Sequence, residues 1–172
     1  IFPFLKVLGT SRVAYVLSVL NLFFIPSVFL LSLICKQVTQ IVFSSKSLRF
    51  DFIFILLLLF PPIITPMLRG YLDIVGLIPA CLILLILLNE DFKEIKILNA
   101  LMLSFLIIIE LFTRRWYAFF IASLCISYGC VYIFRVLISK ERGLKVVAKV
   151  FSNWLIIGVS TLLILWIFFR PF

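Results

Sequence analysis

The chain has 172 residues, of which 65% are hydrophobic and none is histidine, and it carries a formal net charge of +9. A water-soluble domain of this size needs a polar coat, and too few polar residues are present to make one. The positive charge sits beside apolar segments rather than in a basic-aromatic stretch, which excludes nucleic acid as a partner and points to membrane lipids or a phosphate-bearing lipid.

These properties predict an all-α integral membrane protein: a polytopic transmembrane helix bundle in a single domain covering residues 1–172. A hydrocarbon core about 30 Å thick needs roughly 20 apolar residues in a helix, within a range of about 17–25. Six segments are candidates: 13–35, 50–66, 71–88, 97–112, 116–137 and 151–169. The second and fourth are short, so they would tilt little or be partly re-entrant. A β-barrel is excluded, because barrel strands alternate apolar and polar residues over about ten positions. Residues 53–60 and 82–88 do not alternate. Helices also satisfy their own backbone groups, as lipid requires.

In chain order, the start (Ile1-Phe2-Pro3-Phe4) has no methionine and no cleavable leader pattern. The chain is therefore read as a piece of a longer protein, with catalytic residues expected upstream. Thr10 or Ser11 is expected to cap the first helix. Arg12 then lies at the membrane interface, either snorkelling to headgroups or binding an anion. Within the spans Asn21 and Asn99 are strongly polar residues. Each is expected to hydrogen-bond a neighbouring helix, worth about 0.6 kcal/mol. A charge at mid-bilayer costs about 2.5–3.5 kcal/mol, and the spans hold none at that depth, which argues against an ion pump or proton relay.

The second span ends in Pro61, Pro62 and Pro66, which break or kink it. Gly70 then permits a tight reversal, bracketed by Arg69, Tyr71 and Asp73. Two readings stand for this turn. In one, Arg69 snorkels and Asp73 complements the dipole of the next helix. In the other, Arg69 binds an anionic group while Tyr71 and Asp73 position a polar substrate. The loop at 89–96 (NEDFKEIK) reads as an ordinary solvated connection. The fourth and fifth spans are joined through Glu110, Arg114, Arg115, Trp116 and Tyr117. Glu110 and Arg114 are spaced to pair on a helix, and Trp116 and Tyr117 suit the aromatic belt. This is either a charged hairpin or a double-arginine clamp for phosphate. Cys35, Cys81, Cys125 and Cys130 lie in or beside apolar runs without CxxC spacing. They read as small apolar residues, and no metal or cofactor is expected.

If all six segments span, the 16 Lys and Arg residues divide ten to six. Lys36, Lys46, Arg49, Lys93, Lys96, Arg135, Lys140, Arg142, Lys145 and Lys149 share one side. Lys6, Arg12, Arg69, Arg114, Arg115 and Arg170 share the other. The richer side is expected to be cytoplasmic, with both termini outside. The order inverts after residue 97 if the fourth segment does not span. The outer side is mostly arginine, whose planar fork of donors suits phosphate better than the lysine ammonium does.

The stretches 4–12 (FLKVLGTSR), 65–73 (TPMLRGYLD) and 114–119 (RRWYAF) together resemble bacterial multi-spanning glycosyltransferases of the polyprenyl-phosphate-dependent GT-C class. That class includes the dolichyl-phosphate-mannose protein mannosyltransferases and the lipid A aminoarabinose transferase. The resemblance extends over most of the chain as short segments separated by apolar runs. It implies a helical membrane fold with its active site on the outer face and a sugar carried on polyprenyl phosphate as donor. It also implies that Arg69, Arg114 and Arg115 hold the donor phosphate. The first-loop acidic motif of the class matches no position here, so the catalytic base is not carried onto Asp73, and this piece is expected to be inactive alone. The chemistry agrees: the cations that would stabilise a departing phosphate are present, whereas the base that would activate an acceptor is not. No nucleotide-binding fingerprint is present, and a lipid-linked donor needs none. The implied location is a bacterial plasma membrane. The competing readings are a non-enzymatic membrane scaffold or assembly subunit, and a transporter for lipid-linked sugars in which Asn21 and Asn99 would line one cavity.

Overall fold

The computed structural model describes residues 9, 11–43, 49–60, 73–89, 95–113, 116–139 and 143–168. The described residues are almost wholly helical, with no strand among them. Helix α1 (Arg12–Val19) continues through a π turn (Leu20–Phe24) into α2 (Ile25–Phe43). The others are α3 (Phe50–Leu58), α4 (Asp73–Asn89), α5 (Ile97–Thr113), α6 (Trp116–Ser139) and α7 (Gly143–Phe168).

Two stretches are long and apolar enough to cross a membrane: Arg12–Val42 and Val147–Ile167. Val75–Asn89, Ile97–Thr113 and Tyr117–Val131 are shorter apolar helices. In α3 the helix covers nine residues and closes at Leu59. At 1.5 Å per residue it rises about 14 Å, roughly half a hydrocarbon core. The rest of the predicted second span, beyond Phe60, lies outside the described residues.

The chain divides into two compact units, Ile1–Leu84 and Leu85–Phe172. In the first, Gly9 has φ 77°, a left-handed conformation that glycine adopts without strain. Two residues later Ser11 is extended, and its hydroxyl accepts a hydrogen bond from the Ala14 N–H at 3.2 Å. The cap expected at Thr10 or Ser11 is therefore made by Ser11, while Thr10 lies outside the described residues. The buried side of this long helix runs through Ala14, Ser18, Val19, Phe24, Val28 and Ser32. The step from Val19 to Phe24 is five residues, not the three or four of an α-helix. The π turn supplies that step: the Ile25 N–H bonds the Leu20 carbonyl, five residues back. One extra residue is thereby absorbed without turning the second half of the helix away from its neighbours.

Ser18, Ser27 and Ser32 are fully buried, and each donates to the carbonyl four residues earlier at 2.6 Å. With their hydroxyls satisfied at home, they act as small residues that let helices approach closely. Val19, Phe24 and Val28 form the core of the unit, covered by Tyr15, Phe23, Phe54, Leu57 and Leu58. The Phe29 and Phe50 rings meet edge to face at 5.3 Å, and Phe50 stacks on Phe54 at 6.0 Å. Arg49 and Asp51 approach to 3.8 Å with both side chains largely exposed, a pair that adds little.

In the second unit, α5 packs against α7 and both contact α6. Ser104, fully buried, links α5 to α7: its hydroxyl donates to the Ala100 carbonyl at 2.9 Å and to the Ile157 carbonyl of α7 at 3.1 Å. The same Ile157 carbonyl accepts from Thr161 at 2.8 Å. Tyr128 of α6 donates its hydroxyl to the Leu87 carbonyl at 2.7 Å, and its ring meets Trp154 edge on at 6.3 Å. Helix α7 buries Val150, Ile157 and Thr161 but exposes Phe151, Leu155, Leu162 and Trp166. A continuous exposed apolar face of this kind marks a membrane or a protein contact.

Candidate functional site

Of the predicted outer-face residues, those described fall at helix ends. Arg69, Tyr71, Arg114 and Arg115 lie outside the described residues. Asp73 is the first residue of α4 and Trp116 the first of α6. Tyr117, in the first turn of α6, is half-buried. Arg12 opens α1 and is exposed.

The best-described part of the candidate site is the junction of α5 and α6. Helix α5 ends at Thr113, whose hydroxyl donates to the Ile109 carbonyl at 2.7 Å, and α6 begins at Trp116. Only Arg114 and Arg115 separate the two helices in sequence. One turn before them stands Glu110, with 0% of its surface exposed and neither carboxylate oxygen hydrogen-bonded among the described residues. A buried carboxylate needs a compensating partner. The i, i+4 spacing to Arg114 predicts a helical pair. Its complete burial was not legible, because the flanking apolar residues are the same on every side of the helix.

Beside this junction the second unit holds an apolar groove of about 620 Å³. Ile107 and Leu111 of α5 form one wall, and Ile121, Cys125, Gly129 and Ile133 of α6 another. Along α7 the lining runs from Val147 through Phe151, Trp154, Ile157, Gly158 and Thr161 to Leu165. That stripe covers about 27 Å at 1.5 Å per residue, close to the thickness of a hydrocarbon core. A side chain added at Gly129 or Gly158 would meet nothing within 4 Å. The lining offers apolar contact along its length and almost no hydrogen-bonding capacity, so it suits a hydrocarbon chain rather than a sugar or peptide.

The two asparagines take different settings. Asn21 is exposed, and its Nδ2 donates to the Leu17 carbonyl of its own helix at 2.8 Å. The expected bond to a neighbouring helix is replaced by this local one, made where the backbone ladder shifts into the π turn. Asn99 is half-buried in the first turn of α5, and neither asparagine lines the groove. Among the described residues the cysteines are free thiols, and no three His, Cys, Asp or Glu residues come together as a ligand set. Compared with known proteins, the chain matches no family model, no curated protein and no solved structure.

Proposed function

We propose that this chain is part of a multi-pass glycosyltransferase of the plasma membrane that uses a polyprenyl-phosphate-linked sugar on the outer face. The observation that carries the reading is the groove along α5, α6 and α7. One of its lining residues, Leu111, lies three positions before Arg114. An isoprenoid tail suits the groove, and its phosphate would then meet Arg114 and Arg115 at the end of α5. Two adjacent guanidinium groups can hold phosphate oxygens with charge-assisted bonds. The donor's leaving group is a phosphate, so the same cations would stabilise charge as it develops. On the sidedness read from the loop charges, Arg69, Tyr71 and Asp73, between the second and third apolar segments, also belong to the outer side, with Trp116 and Tyr117 at the membrane interface.

The catalytic carboxylate is assigned to no residue of this chain. Glu110 is fully enclosed, which suits it to orienting an arginine rather than activating an acceptor.

The test uses the full-length protein in lipid nanodiscs with a polyprenyl phosphate of natural chain length and native mass spectrometry. Binding should fall at least tenfold in the double variant Arg114→Ala, Arg115→Ala and in Gly158→Phe, which fills the groove. Retention of the lipid by both would exclude this site.

A further inference from the structure

We propose that the exposed face of the first long helix, centred on Asn21, is a contact surface for a second copy of this chain. Four features carry it. Asn21 lies nine residues beyond Arg12, so about 14 Å into a core of about 30 Å if the helix spans. Its neighbours on that face are Val13, Leu17 and Ile25, exposed by 67%, 40% and 36%. The small residues of this helix, Ala14, Ser18, Ser27 and Ser32, are all on the buried side. Among the described residues the carboxamide makes one hydrogen bond, from Nδ2 to its own helix, which leaves Oδ1 and the second N–H of Nδ2 to be satisfied.

Lipid cannot satisfy those two atoms. Polar side chains inside membranes accordingly face other protein groups. A carboxamide is both donor and acceptor, so it is complementary to itself. In a two-fold dimer each residue of the central strip meets its own counterpart. Asn21 from one copy would thus donate its spare N–H to Oδ1 of the other and accept the reciprocal bond. Val13, Leu17 and Ile25 would pack around the pair. The π turn contributes by holding Asn21 outward while Phe24, Val28 and Ser32 stay on the buried side. The inference rests on this helix crossing the membrane, and it is independent of the glycosyltransferase reading.

The test is disulfide cross-linking of the full-length protein in bilayers, with its native cysteines replaced by serine or alanine. Leu17→Cys or Ile25→Cys, oxidised with copper phenanthroline, should give a cross-linked homodimer, whereas Ala14→Cys and Ser18→Cys on the buried side should not. Adding Asn21→Leu should raise the dimer dissociation constant about tenfold in single-molecule photobleaching, the size expected for an interhelical amide pair, and Asn21→Gln should retain the dimer. Absence of the dimer at both positions, an unchanged dimer in Asn21→Leu, or cross-linking only to a different protein overturns the proposal. Labelling of Asn21→Cys by a membrane-impermeant maleimide would instead show that the helix does not span, which separates that failure from failure of the dimer.

Discussion

Ser104 and Glu110 are both fully buried on α5, six residues apart, yet they pose opposite energetic problems. The Ser104 hydroxyl is doubly used, and the Ile157 carbonyl that it reaches also accepts from Thr161. Ser104→Ala should therefore cost little, about 0.6 kcal/mol, because no carbonyl is stranded. Ser104→Leu should cost more, about 1–3 kcal/mol, by pushing α5 away from α7. Thermal unfolding in detergent micelles would rank the two, and equal losses would mean that α5 and α7 do not approach closely at this point. Glu110 has no such local satisfaction. If Arg114 is its counter-ion, Arg114→Met strands a buried charge and should destabilise by about 3–5 kcal/mol. Adding Glu110→Gln should recover most of that loss. Arg115→Met should show no comparable recovery, because stabilising side-chain pairs on a helix are spaced i, i+3 or i, i+4. A double-mutant cycle reads the coupling directly, and rescue confined to the Arg115 variant would reassign the partner.

At the scale of elements, the π turn makes a prediction that an ordinary helix would not. The buried line passes from Val19 to Phe24 through one residue too many for α geometry. Deleting Leu22 should let the segment close as a continuous α-helix, with the second half keeping the orientation that the π turn now gives it. Deleting Leu31 from α2 removes a residue where none is spare, so every position beyond it rotates by about 100°. The first deletion should leave the melting temperature nearly unchanged and the second should abolish cooperative unfolding. Similar losses from both would mean that the π turn is not an absorbed insertion. This detail was not legible in the sequence, because Leu, Phe, Ile and Val occupy both sides of the helix and give no contrast from which to read a face. Helix ends were legible where charge or an N-cap interrupts the run: α5 was expected at 97–112 and spans Ile97–Thr113, and α6 was expected from 116 and begins at Trp116. The first and last helices exceed their expected segments. Hydropathy falls at Lys36–Gln37 and rises only after Lys149, whereas lysine and glutamine are good helix formers and do not stop a helix. Of the candidate site, the residue types were legible but not the groove, since its walls come from α5, α6 and α7 and require their packing.

For the whole molecule the open quantity is which helices cross the bilayer, and α5 decides it. At 17 residues, α5 rises about 26 Å, the lower limit for spanning. Its sequence also favours a crossing, because Lys96 precedes it and Arg114 and Arg115 follow it, so both ends carry cations able to snorkel into headgroups. A short span is accommodated by standing upright or by local thinning, at a cost of fractions of a kcal/mol per Å of mismatch. If α5 crosses, Lys93 and the 140–149 region lie in the cytoplasm, while Arg69 and Arg114 lie outside, where an extracytoplasmic phosphate site would have to be. Single cysteines at 69, 93, 114 and 145 in the cysteine-free background would report this in intact cells. Membrane-impermeant maleimide should label 69 and 114 without permeabilisation, and 93 and 145 only after it. If α5 turns back instead, 93 and 114 would label together on the inner side. Arg114 and Arg115 would then lie on the inner side, and an extracytoplasmic phosphate site at the end of α5 would be lost, although the groove within the second unit would remain.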